Sequence, residues 1–220
     1  MPKSKRSKVV TLSKTEKKGR EGKEALFQQI RDAVDNFAYI WMFSVENMRN
    51  TYLKDVRTEW KTSRFFFGRT KVMSKALGTT PEEEYRENLR TLAEKMIGEV
   101  GLLFTNTPPE EVIQYFEAFR QKDYARAGFV ATATVTIPAG TVLRGEDPFP
   151  HNMEPQLRAL GMPTILKNGV VTLPTEYTIC KVGDVLTPNQ AHLLKHFYVQ
   201  MAEFQVKLSC YWYKGELHEV

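Results

Sequence analysis

Cysteine is nearly absent from this chain: Cys180 and Cys210 are the only two in 220 residues. They lie far apart with no neighbouring ligand types, which excludes a disulfide framework and the paired spacing of a zinc finger. Reduced, buried thiols are the expectation. Long apolar runs are also missing. No stretch reaches the roughly eighteen residues of a membrane helix, and the N-terminus is polar and basic, without the apolar centre of a secretory signal. A soluble, intracellular protein with no membrane partner is expected. No GxxxxGK[ST] loop occurs, and Gly19 and Gly22 sit in a basic segment with no strand before them, so the usual nucleotide cradle is excluded. His192 and His196 have the i, i+4 spacing of two metal ligands, but residue 193 is Leu where a metalloprotease needs its Glu. Glu82 to Glu84 and Glu110 to Glu111 read as helix starts, where negative charge suits the dipole, and not as acid/base pairs. Cys180 has no base nearby in sequence that would mark a nucleophile. No catalytic residue, cofactor or metal is expected, and the chain does not read as an enzyme.

What is present is positive charge, unevenly placed. Lys and Arg number 31 against 26 Asp and Glu, within a composition of 42% hydrophobic residues that can bury an ordinary core. The excess favours an anionic partner. Residues 1–24 form a basic arm with nine Lys or Arg, among them Lys14, Lys17, Lys18 and Arg20, against three Glu. The arm runs directly into a helical pattern at Phe27, Ile30, Val34 and Phe37, which positions it. Residues 39–45 (YIWMFSV) then suit a buried strand, and Leu53, Val56 and Trp60 keep helical spacing after it. Residues 64–67 (RFFF) read as a second strand ending at a Gly68 turn, with a short basic helix over 70–77.

Thr80-Pro81-Glu82-Glu83 and Thr107-Pro108-Pro109-Glu110 each predict a helix start through a capping box. Between them, residues 100–105 (VGLLFT) are apolar at nearly every position, as a strand covered on both faces would be. Composition changes after Tyr124. The β-branched alternation of 130–137, a strand at 169–173 and turn signals at Gly161, Asn168-Gly169 and Gly183 read as a small α+β module. A third box, Thr187-Pro188-Asn189-Gln190, opens a helix, and residues 204–213 alternate like a strand. One strand cannot bury its apolar face alone, so this one is expected to return to the first sheet. The expected fold is α/β: a domain with a mixed sheet over 25–124 and 203–220, interrupted by an inserted small α+β domain over 125–202 before its last strand.

The positive functional signal is Arg57, Lys61, Arg64, Arg69, Lys71 and Lys75, interleaved with Trp60, Phe65, Phe66, Phe67 and Val72. The apolar members are read as anchors to the core, leaving the cations near a single turn. Phosphate is the natural ligand. Gly68 would let backbone N–H groups approach it, and the following helix N-terminus adds a favourable dipole.

The segments MPKSKRSKVVTLSKTEKKGREGKE, FFFGRTKVMSKALG, GEVGLLFTN, DYARAG and FPHNMEPQLRALGMPTILKNGVVTL together resemble the mRNA turnover protein 4 family over essentially the whole chain. These are nucleolar assembly factors of the large ribosomal subunit, paralogous to the ribosomal stalk-base protein. The GRTKVMSKALG segment is similar to the stalk-base protein's rRNA-binding motif. The resemblance implies an α/β RNA-binding domain with an insertion before its last strand. It also implies a placeholder on the large-subunit rRNA of the future GTPase-associated region in pre-60S particles, next to the stalk-base ribosomal protein's place. It implies a dual-specificity-phosphatase-like release factor as partner, and residence in nucleolus and nucleus with shuttling to the cytoplasm. Because the chain stops shortly after the returning strand, no acidic stalk proteins are expected as partners. A mature stalk-base protein is the alternative, and a small hydrolase or transferase with a scattered site ranks third.

Overall fold

A computed structural model describes residues 19–220. The chain opens with α1 (Arg20–Asn36), β1 (Tyr39–Glu46), α2 (Asn50–Glu59), β2 (Arg64–Phe66) and α3 (Thr70–Leu77). It continues through α4 (Leu89–Lys95), β3 (Val100–Thr105), α5 (Pro109–Ala118) and β4 (Arg120–Asp123). Short elements follow: β5 (Val135–Ile137), β6 (Gly140–Thr141), β7 (Leu143–Arg144), β8 (Asp147–Pro148), α6 (Glu154–Ala159), β9 (Ile165–Lys167), β10 (Val170–Leu173) and β11 (Tyr177–Cys180). The last elements are α7 (Pro188–His196), β12 (Ala202–Tyr213) and β13 (Glu216–Glu219). The fold is mixed α/β, in two compact units. The first holds the chain up to Met42 with Ser63–Asn106 and Cys210–Val220; the second holds Phe43–Thr62 and Thr107–Ser209.

One sheet has its strands in the order β13-β12-β1-β3-β2. The late strand β12 therefore does return to the early sheet. β2 pairs antiparallel with β3, Arg64 opposite Phe104, and β12 pairs antiparallel with β13. β3 is buried at every position, as its unbroken apolar run requires. Ile30, Ala33 and Val34 of α1 meet Met73, Ala76 and Leu77 of α3, Leu89 and Leu92 of α4, and Ile40, Leu102, Phe104 and Trp212 of the sheet. Each large side chain so buried contributes about 1.5–3 kcal/mol.

The helix expected at Thr80 does not form. Residues 80–83 make only a turn, closed by Glu83 N–H to the Thr80 carbonyl at 3.2 Å, and the helix begins at Leu89 behind Asn88, whose φ is 57°. Tertiary bonds claim this backbone. Tyr85 Oη donates to Asp35 Oδ2 at 2.6 Å, Arg86 Nη2 donates to Asp35 Oδ1 at 2.9 Å, and Tyr85 N–H donates to the Leu77 carbonyl at 3.1 Å. Gly78 makes the bend possible: its φ is 102°, and a Cβ there would lie 2.5 Å from Glu84 Cα. Glu82 to Glu84 are thus turn residues, not a helix start.

In the second unit β4 pairs antiparallel with β12, and Trp60 stacks on Phe116 of α5 with ring centroids 5.6 Å apart. Three small sheets, β6-β10-β9, β11-β5 and β7-β8, surround Val142, Leu157, Met162, Val171, Leu173, Ile179, Leu193 and Leu194. The alternation over 130–137 becomes a strand only at Val135–Ile137, with Val130 in an isolated bridge to Val185. α7 carries the full capping box: Thr187 Oγ1 accepts from Gln190 N–H at 3.3 Å and Gln190 Oε1 accepts from Thr187 N–H at 2.8 Å. α5 forms as expected, but Pro108 is its N-cap and no side chain caps it. Both cysteines are buried and free. No described helix is long and apolar enough to cross a membrane.

Candidate nucleic-acid interface

α1 starts at Arg20, so the basic arm enters the helix at its own last cations. Leu26, further along the same helix, reaches over the loop joining β2 to α3. A Cβ built on Gly68 would lie 2.8 Å from Leu26 Cδ2. Gly68 is thus a packing residue: it lets α1 lie close against the loop, and its φ is not in the left-handed region. Between α1 and this loop runs a groove of about 1110 Å³. Arg20, Lys23 and Arg69 line it with charge, and Leu26, Phe65, Phe67 and Val72 line it with apolar surface.

Of the residues singled out from sequence, the structure brings Arg20, Gly68 and Arg69 onto this groove. Arg64 is exposed at the start of β2, and Lys71 is exposed at the second position of α3. Lys75, one turn later, lines a separate depression of about 420 Å³ with Arg31 and Glu82 to Glu84. Arg57 and Lys61 are exposed on and just after α2, in the second unit. Lys14, Lys17 and Lys18 lie outside the described residues. Lys23 and Phe67 also line the groove. Lys23 stands at i+3 from Arg20 and so shares its helix face, a spacing legible in the sequence. Phe67 was read as a core anchor, yet only Phe66 of that trio is buried and Phe67 is 37% exposed.

Several cations elsewhere are matched: Arg49 with Asp123, Arg86 with Asp35, Arg90 with Glu94, Lys207 with Glu46. At the groove only Arg20 has a carboxylate, Glu24, at 2.7 Å in an exposed pair. Among the described residues Lys23, Arg64, Arg69 and Lys71 have none. α3 also begins against its own dipole. Its N-cap is Arg69, no side chain caps it, and its first turn contains no acid, whereas α5 starts with Glu110 and Glu111. A cation at a helix N-terminus costs about 0.3–1 kcal/mol. That unfavourable field at α3 is what an anion docking on its free N–H groups would reverse.

The chain carries a ribosomal protein L10 domain followed by an insertion domain. Residues 18–121 match the family described as Ribosomal protein L10, and residues 125–199 match the family described as the insertion domain of its 60S ribosomal form. The chain is 55% identical to the ribosome assembly factor mrt4 of Schizosaccharomyces pombe, over 97% of this chain and 92% of that one. It is 42% identical to ribosome assembly factor MRT4 of Saccharomyces cerevisiae, over 96% and 94%. To the large ribosomal subunit protein uL10 of Leishmania infantum it is 24% identical, over 86% of this chain and 60% of that one. The chain belongs to the Mrt4 family of ribosome assembly factors.

Proposed function

We propose that this chain is a ribosome assembly factor that binds large-subunit rRNA at the future stalk base, the GTPase-associated region, and holds the place of the stalk-base protein during pre-60S maturation. The observation that carries this reading is the groove between α1 and the β2–α3 loop, where Lys23 and Arg69 have no carboxylate partner among the described residues. Arg20, Lys23, Arg64, Arg69 and Lys71 meet backbone phosphates, and the first N–H groups of α3 donate to one more. Phe67, partly exposed in the same groove, adds apolar surface beside these cations. Lys14, Lys17 and Lys18 extend the footprint, and Lys75, Arg57 and Lys61 contribute from outside the groove. Kinship with the Mrt4 assembly factors and the more distant uL10 similarity support the same RNA site for both proteins. Residence in nucleolus and nucleus, movement to the cytoplasm on the particle, and displacement by a phosphatase-like release factor belong to the same proposal.

The test is the salt dependence of binding to an rRNA fragment of that region. The Arg69→Gln, Lys71→Gln double variant should flatten the slope of log affinity against log salt by roughly 1.4 to 1.8, at about 0.7 to 0.9 per phosphate contact. An unchanged slope overturns the assignment.

A further inference from the structure

We infer that the second unit carries a pocket for one unstacked nucleotide of the bound RNA, a site apart from the groove of the first unit. It rests on the RNA-binding reading above. The DYARAG segment, residues 123–128, has no part in that groove and contributes Asp123, Tyr124 and Arg126 to a pocket of about 580 Å³. Arg49, Tyr52, His192 and Lys195 complete its polar wall. The volume lies within the roughly 300–1,000 Å³ of small-ligand sites.

The charge in the pocket is arranged in two layers. Asp123 is its only carboxylate, and both oxygens are occupied: Arg49 Nε donates to Oδ2 at 2.6 Å and the Tyr124 N–H donates to Oδ1 at 2.7 Å. Arg49 Nη2 also donates to the Tyr124 carbonyl at 2.6 Å, so this partly buried guanidinium is held rigid at the N-cap of α2. Outside it, Arg126, His192 and Lys195 are exposed, with no carboxylate partner among the described residues. The capping box at Thr187, together with Gln190 Nε2 donating to the Ile179 carbonyl at 2.8 Å, fixes the start of α7. From that start His192 and Lys195, three apart, fall on one helix face.

With Arg49 and Asp123 neutralising each other, Arg126 and Lys195 remain as two permanent cations that select an anion, and a guanidinium fork suits phosphate. Tyr52 and Tyr124 add ring surface beside those cations, and aromatic rings stack bases of any identity. A nucleotide uses both features: its phosphodiester on Arg126 and Lys195, its base against a tyrosine. An acidic peptide would use the cations alone.

The full chain is tested against an rRNA fragment of the stalk-base region, with Arg126→Gln, Lys195→Gln as the variant; both positions are exposed, and a melt matching the parent confirms the fold. The expected result is a salt slope lower by roughly 1.4 to 1.8, and, in the unaltered chain, crosslinks from 4-thiouridine-substituted RNA at Tyr52 or Tyr124. If the slope and crosslinks at the pocket are absent while the Arg69→Gln, Lys71→Gln variant loses slope, the inference fails and the groove reading stands. If the parent does not bind the fragment at all, the groove reading fails and takes this one with it. If polyglutamate binds the parent and not the Arg126→Gln, Lys195→Gln variant, with the RNA slope kept, the pocket serves an acidic protein and the inference is overturned.

Discussion

Lys23 and Lys75 are both exposed lysines of the first unit, and their neighbours give them different weight. Lys23 lines the groove beside Arg69, whereas Lys75 looks onto Glu82, Glu83 and Glu84. Carboxylates near a lysine already supply the charge that a phosphate would. Lys23→Gln should therefore lower the salt slope by about 0.7 to 0.9, and Lys75→Gln by clearly less; equal effects would mean the acidic turn does not screen Lys75. Asp35 is the residue that pulls that turn into place. Hydrogen bonds from Tyr85 and then Arg86 hold its carboxyl below the ordinary value of 3.8. A depressed folded value means that its contribution is complete above the unfolded value and disappears as pH falls through the folded one. Asp35→Asn should lower the melting temperature at pH 6, and the gap to the parent should close as pH drops below 3.8. A gap that persists in acid would show that the carboxylate's charge is not what matters. Nothing in the local sequence announces Asp35, because its partners lie 50 and 51 residues away.

At the scale of elements, three Thr-Pro starts show how far local signals reach. At Thr187 the side chain, the backbone and residue Gln190 agree, and the full box forms. At Thr107 a second proline moves the cap to Pro108. At Thr80 the same signal loses, because Asp35 and Leu77 draw the following residues into a bend that a helix cannot make. α3 is the opposite case: its boundaries follow the pattern over 70–77, although its start carries the wrong charge for a helix. Lys71→Glu should stabilise the fold by about 0.3–1 kcal/mol through the dipole while weakening RNA binding. Melting curves and RNA titrations on one preparation check both halves. A variant that is more stable and binds RNA as well as the parent would reduce this surface to a solvated basic face.

For the whole molecule the placeholder reading has a strict consequence. If this chain and the stalk-base protein use one rRNA surface, a single RNA cannot hold both. Adding purified stalk-base protein to the complex should displace this chain in proportion to concentration and relative Kd, by mass action. Mass photometry should find either binary complex and no ternary one. A stable complex with one copy of each on one RNA would end the placeholder proposal.

The sequence by itself determined which segments fold and with what charge. β3 is buried throughout because every side chain is apolar or small, and β12 had to return to a sheet because its alternating face needs a partner. Cations gathered between residues 57 and 75 were legible as a local excess of positive charge. Only the tertiary structure decided which of those cations share a groove. Leu26 over Gly68 brings α1 against the β2–α3 loop, joining Lys23 to Arg69 and turning Phe67 outward, while Lys75 passes to the acidic turn. The physical reason is range. Periodicity and capping act within a few residues, whereas β1, α2 and β2 all lie between Leu26 and Gly68 in the chain, and their contact exists only once the core they flank has packed.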